Sequence, residues 1–284
     1  MIIVTGASGE LGRAVVEDLL DHAPADRVAV SVRDPDKLAD LRERGVRVRR
    51  GDFGEPASLE AAFEGASAVL VVSVNALGAE AVRAHRVAFA AAEAAGAKRI
   101  LYTSHMGRGA TSPFPPMPDH AATEELLQGC ATPSTLLRNG FYASTVPRLL
   151  QPALTTGELR VPEDGPVAWT AHADLAEATA RILLDGGFDG PTPPLTGPAA
   201  LDLRQIAAIA SDLTGRTIRH VVVSDDEYRD GMLAAGVPRD AADLLVGMFA
   251  ASRLGDFGPA DPALETLLGR PATSIEDYLR GALG

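Results

Sequence analysis

The sequence predicts a doubly wound parallel α/β sheet followed by a smaller mixed α/β lobe, and three observations lead to that fold. Short apolar, β-branched runs alternate with alanine-rich helical stretches as far as about residue 138. A glycine-rich turn joins the first run to the first helix, and past Arg138 the rhythm breaks into scattered strands and accumulating prolines. The runs are Ile2–Val4, Val28–Val32, Val46–Val48, Val69–Val72, Ile100–Tyr102 and Thr135–Leu137. Most are almost continuously hydrophobic, as strands covered on both faces are, and the segments between them are long enough for crossover helices.

Leu11, Val15 and Leu19 recur at four-residue steps with Val16 and Leu20 beside them, which predicts a first helix with one stripe on the sheet. Arg13, Glu17 and Asp21 are then left to water. A helix over Ala79–Ala95 is expected to put Val82, Arg86 and Phe89 on one side and to stop at Gly96. Its alanine richness reads as close packing inside the subunit, with a homodimer face as the alternative. Residues 1–138 form the sheet domain, 139–284 a smaller lobe on the substrate side, and part of 159–196 returns to the sheet.

In that lobe strands are expected at Leu159–Val161, Val167–Thr170 and Ile218–Val223. Helices are expected at His172–Leu184, Leu203–Leu213, Asp225–Ala235, Ala241–Ala251 and Ser274–Leu283. Asp174 then stands near the positive end of its helix dipole. Gly107–Pro118 carries four prolines and two glycines, too broken for regular structure, and reads as a candidate active-site loop.

The 284 residues, 46% of them hydrophobic, suffice for a full core. Acidic residues outnumber basic ones 38 to 26, and the net charge of -12 argues against nucleic acid or anionic lipid as partners. Cys130 is the single cysteine, so no intrachain disulfide forms, and a reducing compartment is the default. No apolar stretch approaches the roughly 18–20 residues of a membrane span. The first strand starts at Met1 with no basic leader before it, and a cytoplasmic protein is expected. The six histidines show no spacing that suggests a metal site.

Between the first strand and helix stands Thr5-Gly6-Ala7-Ser8-Gly9-Glu10-Leu11-Gly12. Such a loop lets backbone approach a pyrophosphate, while the helix offers free N–H groups and the positive end of its dipole. The spacing, Gly-x-x-Gly-x-x-Gly, differs from Gly-x-Gly-x-x-Gly, but strand, loop and helix come in the required order, which makes 1–138 a Rossmann-like NAD(P)-binding domain. About 20 residues further on, where an acid would grip the ribose of NAD, this chain has Arg33. A guanidinium pairs with a 2'-phosphate, so NADP(H) is preferred over NAD(H), with Lys37 adding charge. The competing reading makes Arg33 a solvated residue neutralised by Asp34. Asp52 and Phe53 stand where adenine would rest, Asp52 as acceptor for its amino group and Phe53 as a ring face or, equally, a core residue.

With these residues in place the chain resembles the NmrA-like atypical short-chain dehydrogenase/reductases, and among them the type 2 NAD(P)H:quinone oxidoreductases of bacteria. The resemblance runs almost end to end, through "VTGASGELG", "VRDPDK", "YTSHMGRGATSP", "DHAATEELL" and "LLRNGFY". It implies that Ser73, Val74, Asn75 and the run Leu137, Arg138, Asn139, Gly140, Phe141 and Tyr142 line the nicotinamide half of the cofactor. At Phe141 the chain departs from a tryptophan that the resemblance implies. Most reductases of the superfamily use a Tyr-x-x-x-Lys pair to protonate an alkoxide, but the matching stretch reads His120-Ala121-Ala122-Thr123-Glu124. An isolated ketone needs such an acid. A quinone ring delocalises the incoming charge, so a quinone or similarly electrophilic acceptor is the expected partner.

Phe141 and Tyr142 are candidate stacking surfaces for that acceptor, with His105 or His120 as hydrogen-bond partners to an oxygen. Tyr142 reads equally as a core residue, and the two histidines as structural groups. Ser104 resembles the superfamily serine and, without the tyrosine, is expected to position nicotinamide. Two other readings stay open: a non-catalytic NADP(H) sensor that works through a protein partner, and a reductase or isomerase of activated enones.

Overall fold

The computed structural model describes residues 1–107, 109–186 and 188–283. The chain divides into two compact units. The first comprises Met1–His105, Asp119–Asn139 and His172–Pro193. The second comprises Met106–Pro118, Gly140–Ala171 and Pro194–Gly284.

The first unit is built on a seven-stranded sheet. In chain order its elements are β1 (Ile2–Thr5), α1 (Glu10–His22), β2 (Val28–Val32), α2 (Ala39–Glu43), β3 (Arg47–Arg50), α3 (Pro56–Phe63), β4 (Ala68–Val71), α4 (Ala79–Ala94) and β5 (Arg99–His105). Helix α5 (Pro116–Gln128) and β6 (Ser134–Asn139) follow. Two short strands, β7 (Phe141–Tyr142) and β9 (Trp169–Thr170), pair with each other in the second unit. There too lie α6 (Thr145–Leu150), α7 (Ala153–Thr156) and β8 (Glu158–Pro162). The chain then returns to the first unit with α8 (His172–Asp185) and β10 (Gly190–Pro191). The second unit closes with α9 (Leu203–Thr214), β11 (Arg219–Val223), α10 (Asp225–Ala234), α11 (Arg239–Arg253), α12 (Ala263–Leu268) and α13 (Ile275–Leu283).

The strand order of the large sheet is β10-β6-β5-β4-β1-β2-β3, and every pairing in it is parallel. Its order reverses between β4 and β1, the place where ligands gather over the carboxyl ends of open α/β sheets. The buried strand positions Ile3, Val69, Val71 and Ile100 pack with Leu59, Phe63 and Phe89 of the covering helices. Helix α1 buries Leu11, Val15, Val16 and Leu19, as its four-residue steps require. Arg13 and Glu17 are only partly exposed and bond to each other, with Arg13 also reaching Asp40 and Glu17 also reaching Arg44.

Two expectations need correction. On α4 the buried face is Ala81, His85, Ala88, Phe89 and Ala92, whereas Arg86 is exposed and Val82 half-buried. The small alanines let α4 pack close to α3 and the sheet within this unit, the first of the two readings of that composition. Pro116–Pro118, expected as loop, are the first residues of α5, because proline fits the first turn, where its missing N–H costs nothing. The loop before them is also anchored. Ser112 donates to Asp256 Oδ2 at 2.5 Å, and Phe114 packs among the second unit's core residues beside the buried Met117. Arg108 of that loop lies outside the described residues.

In the second unit, Phe141, Trp169, Phe249 and Phe257 share a core with Leu159, Ile206 and Leu279. Asp202 and Gln205 form a reciprocal cap at the start of α9, and Ser224 caps α10, which explains why those helices begin where they do. Among the described residues no helix is long and apolar enough to cross a membrane.

Candidate functional site

A cavity of about 690 Å³ opens in the first unit over the carboxyl ends of β1, β2, β3 and β4. That volume falls within the roughly 300–1,000 Å³ of small-molecule sites. The loop Gly6–Gly9 forms one side of it. Gly6 has φ +64°, a left-handed turn that side chains resist, and its carbonyl accepts from Gly9 N–H at 2.9 Å. Gly12 has another purpose: a Cβ there would lie 2.5 Å from Gly6 O and 3.1 Å from Ala7 Cα, so its bareness lets α1 sit directly on the loop. Gly9 is the N-cap of α1 and supplies no side-chain cap. The amide groups of the first turn are thus left for a ligand.

The sequence-predicted residues Gly6, Ser8, Gly9, Arg33, Asp52, Phe53, Ser73, Val74 and Asn75 all line this cavity. Arg33 is exposed and makes no hydrogen bond or ion pair among the described residues. Asp34 is engaged elsewhere, accepting from Asp36 N–H at 3.3 Å and standing 3.8 Å from Lys37 Nζ. The neutralisation of Arg33 by Asp34 is therefore not what the side chains do, and Lys37 spends its charge on Asp34 outside the lining. Asp52 Oδ1 accepts from Gly54 N–H at 2.9 Å. Phe53 lines the cavity and also packs on the core beneath.

Ser31 and Gly51 line the cavity too, and sequence reasoning missed both. Ser31 Oγ is buried without a hydrogen-bond partner among the described residues, a costly state that a polar ligand group at this wall would relieve. Gly51 is bare because a Cβ would come within 2.1 Å of that hydroxyl. Also missed was a stripe of α4, Glu80, Arg83, Ala84 and Val87, whose spacing i, i+3, i+4, i+7 puts all four on the cavity side. Its signal was a second periodicity beside the apolar one. The free helix terminus, the orphan hydroxyl and the unpaired Arg33 together fit an anionic nucleotide.

The remaining predicted residues stand outside the lining. Ala7 and Leu11 bury their side chains, and Glu10 Oε1 lies 3.2 Å from His172 Nδ1. Helix α5, where the Tyr-x-x-x-Lys pair would be, fastens its neighbours instead. His120 Nδ1 is 2.8 Å from Tyr102 Oη, and Thr123 Oγ1 is 3.1 Å from His85 Nδ1. Glu124, buried, receives the Ser104 hydroxyl at 2.6 Å and the Arg138 guanidinium at 3.0 Å. The Ser104 hydroxyl, expected to position nicotinamide, is therefore a donor already committed to Glu124. Burial pushes His85 down to about 3 and His120 to about 4, and holds His105 well below the usual histidine range.

Leu137 is buried in β6, and the Arg138 amide donates to Thr192 Oγ1 at 3.1 Å. Asn139, wholly buried, has no partner for either side-chain polar atom among the described residues. In the second unit Gly140 N–H donates to Leu195 O at 2.7 Å, and a Cβ at Gly140 would meet Thr170 Oγ1 at 2.2 Å. Phe141 is 8% exposed, with ring contacts to Phe257 at 4.7 Å, Trp169 at 5.5 Å and Phe114 at 5.6 Å. It behaves as a core ring, while Tyr142 is half-buried. Cys130 packs as a small apolar group, its thiol pushed up by burial. No cluster of metal-ligating side chains occurs among the described residues.

Comparison with known proteins identifies the family. The family described as NAD(P)H-binding matches residues 6–185, a span that contains every cavity-lining residue but Thr5. Quinone oxidoreductase 2 of Escherichia coli K12 is 33% identical over 98% of this chain and 96% of its own length. An NmrA-like family domain-containing oxidoreductase of Aspergillus flavus is 30% identical over 99% and 94%. The crystal structure of an NADPH-dependent quinone oxidoreductase from Escherichia coli, complexed with NADPH, superposes with a TM-score of 0.94 at 31% identity, covering all of both chains. With a glycine turn, a bare helix terminus and an open guanidinium around one cavity, and relatives that match from end to end, the chain belongs to the NAD(P)H-binding, NmrA-like family.

Proposed function

We propose that the chain is an NADPH-dependent oxidoreductase that passes hydride to a quinone or similarly electrophilic acceptor. The observation that carries the cofactor half is Arg33, an unpaired guanidinium on the rim of a nucleotide-sized cavity where an NAD-specific chain would place an acid. It is suited to bidentate pairing with a 2'-phosphate. The first turn of α1 holds the diphosphate through backbone amides, Phe53 offers its ring to adenine, and the loop Ser73–Asn75 leads towards the nicotinamide. Bound NADPH supplies the hydride.

The acceptor half follows from what α5 lacks. Its His120 and Glu124 are occupied by Tyr102 and by Ser104 with Arg138, and neither reproduces an acid tuned by lysine. The acceptor must then tolerate hydride arrival without a dedicated proton donor, as a quinone does by spreading charge over its ring and taking its proton from water. His105 and the Nε2 of His120 remain the groups proposed to meet an acceptor oxygen, since only His120 Nδ1 is engaged by Tyr102. The name borne by the Escherichia coli relative, a quinone oxidoreductase met both as a sequence match and as a solved structure, favours turnover over a sensor without chemistry. The test is NADPH oxidation followed at 340 nm with a panel of small quinones, beside calorimetric NADPH binding. Tight binding with no turnover across the panel refutes the reductase and leaves the sensor.

A further inference from the structure

We propose that His85 is a positioning residue for the nucleotide cavity: its unprotonated Nε2 accepts the Val74 amide proton and fixes the loop after β4 in the shape the cofactor meets. The proposal rests on the functional reading above and deepens it. Beyond Val71 the backbone leaves the β4 ladder, and its next three amides would be orphans. Each is taken by a side chain instead. Val72 N–H donates to Thr5 Oγ1 at 2.9 Å, Ser73 N–H to Thr103 Oγ1 at 2.8 Å, and Val74 N–H to His85 Nε2 at 3.1 Å. In one peptide unit the C=O and N–H point in opposite directions, so three anchored amides also fix three carbonyls. This segment is the cavity wall, since Val72, Ser73, Val74 and Asn75 all line it.

The imidazole can serve in one tautomer only. Val74 N–H is an obligate donor, so Nε2 must carry a lone pair, and the single ring proton sits on Nδ1, where it donates to Thr123 Oγ1 at 3.1 Å. An imidazolium would turn N–H against N–H. The ring is 2% exposed and packed edge-on to Tyr102, 4.9 Å between centroids, with Phe89 on another side. Burial there disfavours the charged form and holds the group at about 3, so the acceptor is present at any pH at which the protein works. Thr5 and Thr103 offer hydroxyls that can rotate, whereas the imidazole offers a fixed lone pair, which makes His85 the stiffest of the three anchors.

Two measurements test this. Long-range 1H–15N spectra of the protein should show a histidine in the Nδ1–H form between pH 6 and 8, its signals missing from His85→Gln. An Nε2–H form for that residue overturns the proposal. NADPH titration of His85→Gln, whose amide oxygen can replace Nε2, should give a Kd within about threefold of the parent. His85→Leu, which keeps bulk but has no acceptor, should bind about tenfold more weakly. Gln binding as poorly as Leu, or Leu binding as well as the parent, overturns it. If His85→Leu does not fold, the glutamine variant and the tautomer spectrum still decide. A parent protein that binds no nucleotide overturns the functional reading instead, and the tautomer result separates the two failures.

Discussion

Replacing Gly12 by alanine adds one carbon to the helix that faces the nucleotide loop. That carbon would lie 2.5 Å from Gly6 O, 2.8 Å from Gly6 C and 3.1 Å from Ala7 Cα, against 3.4 Å for ordinary contact. All three are backbone atoms, so no side chain can swing aside, and loop and helix must part by nearly an ångström. Overpacking of this kind costs about 1–3 kcal/mol. For a chain of this size the thermal midpoint should fall by roughly 2–4 °C per kcal/mol. The same displacement draws the first-turn amides from the diphosphate, and losing one charge-assisted hydrogen bond, about 1.5–3 kcal/mol, weakens NADPH at least about tenfold. Gly9→Ala is the control for packing. Its Cβ meets only Gly6 O, at 3.4 Å, and its φ of -93° suits any residue, so the midpoint should hold within about 1 °C. Circular dichroism melting and fluorescence titration of both variants make the assay. A Gly12→Ala protein that melts and binds like the parent refutes the argument that helix and loop are in backbone contact.

Arg33→Ala should weaken NADPH by about 10- to 100-fold, the range of a lost charge-assisted contact, and leave NADH almost unchanged. Equal losses for both cofactors in parallel titrations would remove the assignment of the 2'-phosphate. Glu124→Ala strands the Arg138 guanidinium, 18% exposed, and the Ser104 hydroxyl, so urea denaturation should show about 3 kcal/mol lost. A loss below about 0.5 kcal/mol would show that the pair is idle. His85, His105 and His120 are all held below the unfolded value of about 6.5, so they take up protons on unfolding in acid. Their contribution is complete above about pH 6.5 and drains away as pH falls towards 4. Asp164, pushed up to about 6, works in the opposite sense, stabilising below that pH, and offsets one of the three. The melting temperature should therefore fall from pH 7 to pH 5, and His120→Gln should make the fall shallower.

What the sequence made legible follows from which forces act locally. Val28–Val32 forms a strand at the predicted bounds because five consecutive apolar or small residues admit no other buried arrangement beside β1. The helix of Leu11, Val15 and Leu19 and the glycine turn before it were equally open to reading, since periodicity and left-handed backbone are properties of short segments. The face of α4 was misread because alanine and histidine carried the core stripe, and neither announces itself in a hydropathy pattern. Strand β9 falls inside the expected Val167–Thr170, but β7, two residues long, exists through pairing with that distant segment, which no local signal encodes. At the site, Gly6, Arg33 and Asp52 were found by their distance from strand ends. Ser31 was not, because a serine inside a strand looks ordinary until its hydroxyl proves to be buried and unpaired.

The union of Glu124 with Arg138 also limits what this enzyme can become. Writing tyrosine and lysine back at positions 120 and 124 would not revive ketone chemistry, since the new ammonium would arrive beside a guanidinium that had just lost its counter-ion. Two like charges in one half-dry spot would drive the lysine to shed its proton or push the helix outward, and either result disarms the tyrosine it was meant to tune. A third change, at Arg138, has to come first. The guanidinium on the neighbouring strand thus stands against a lysine at position 124, and no exchange on the helix alone supplies a tuned acid.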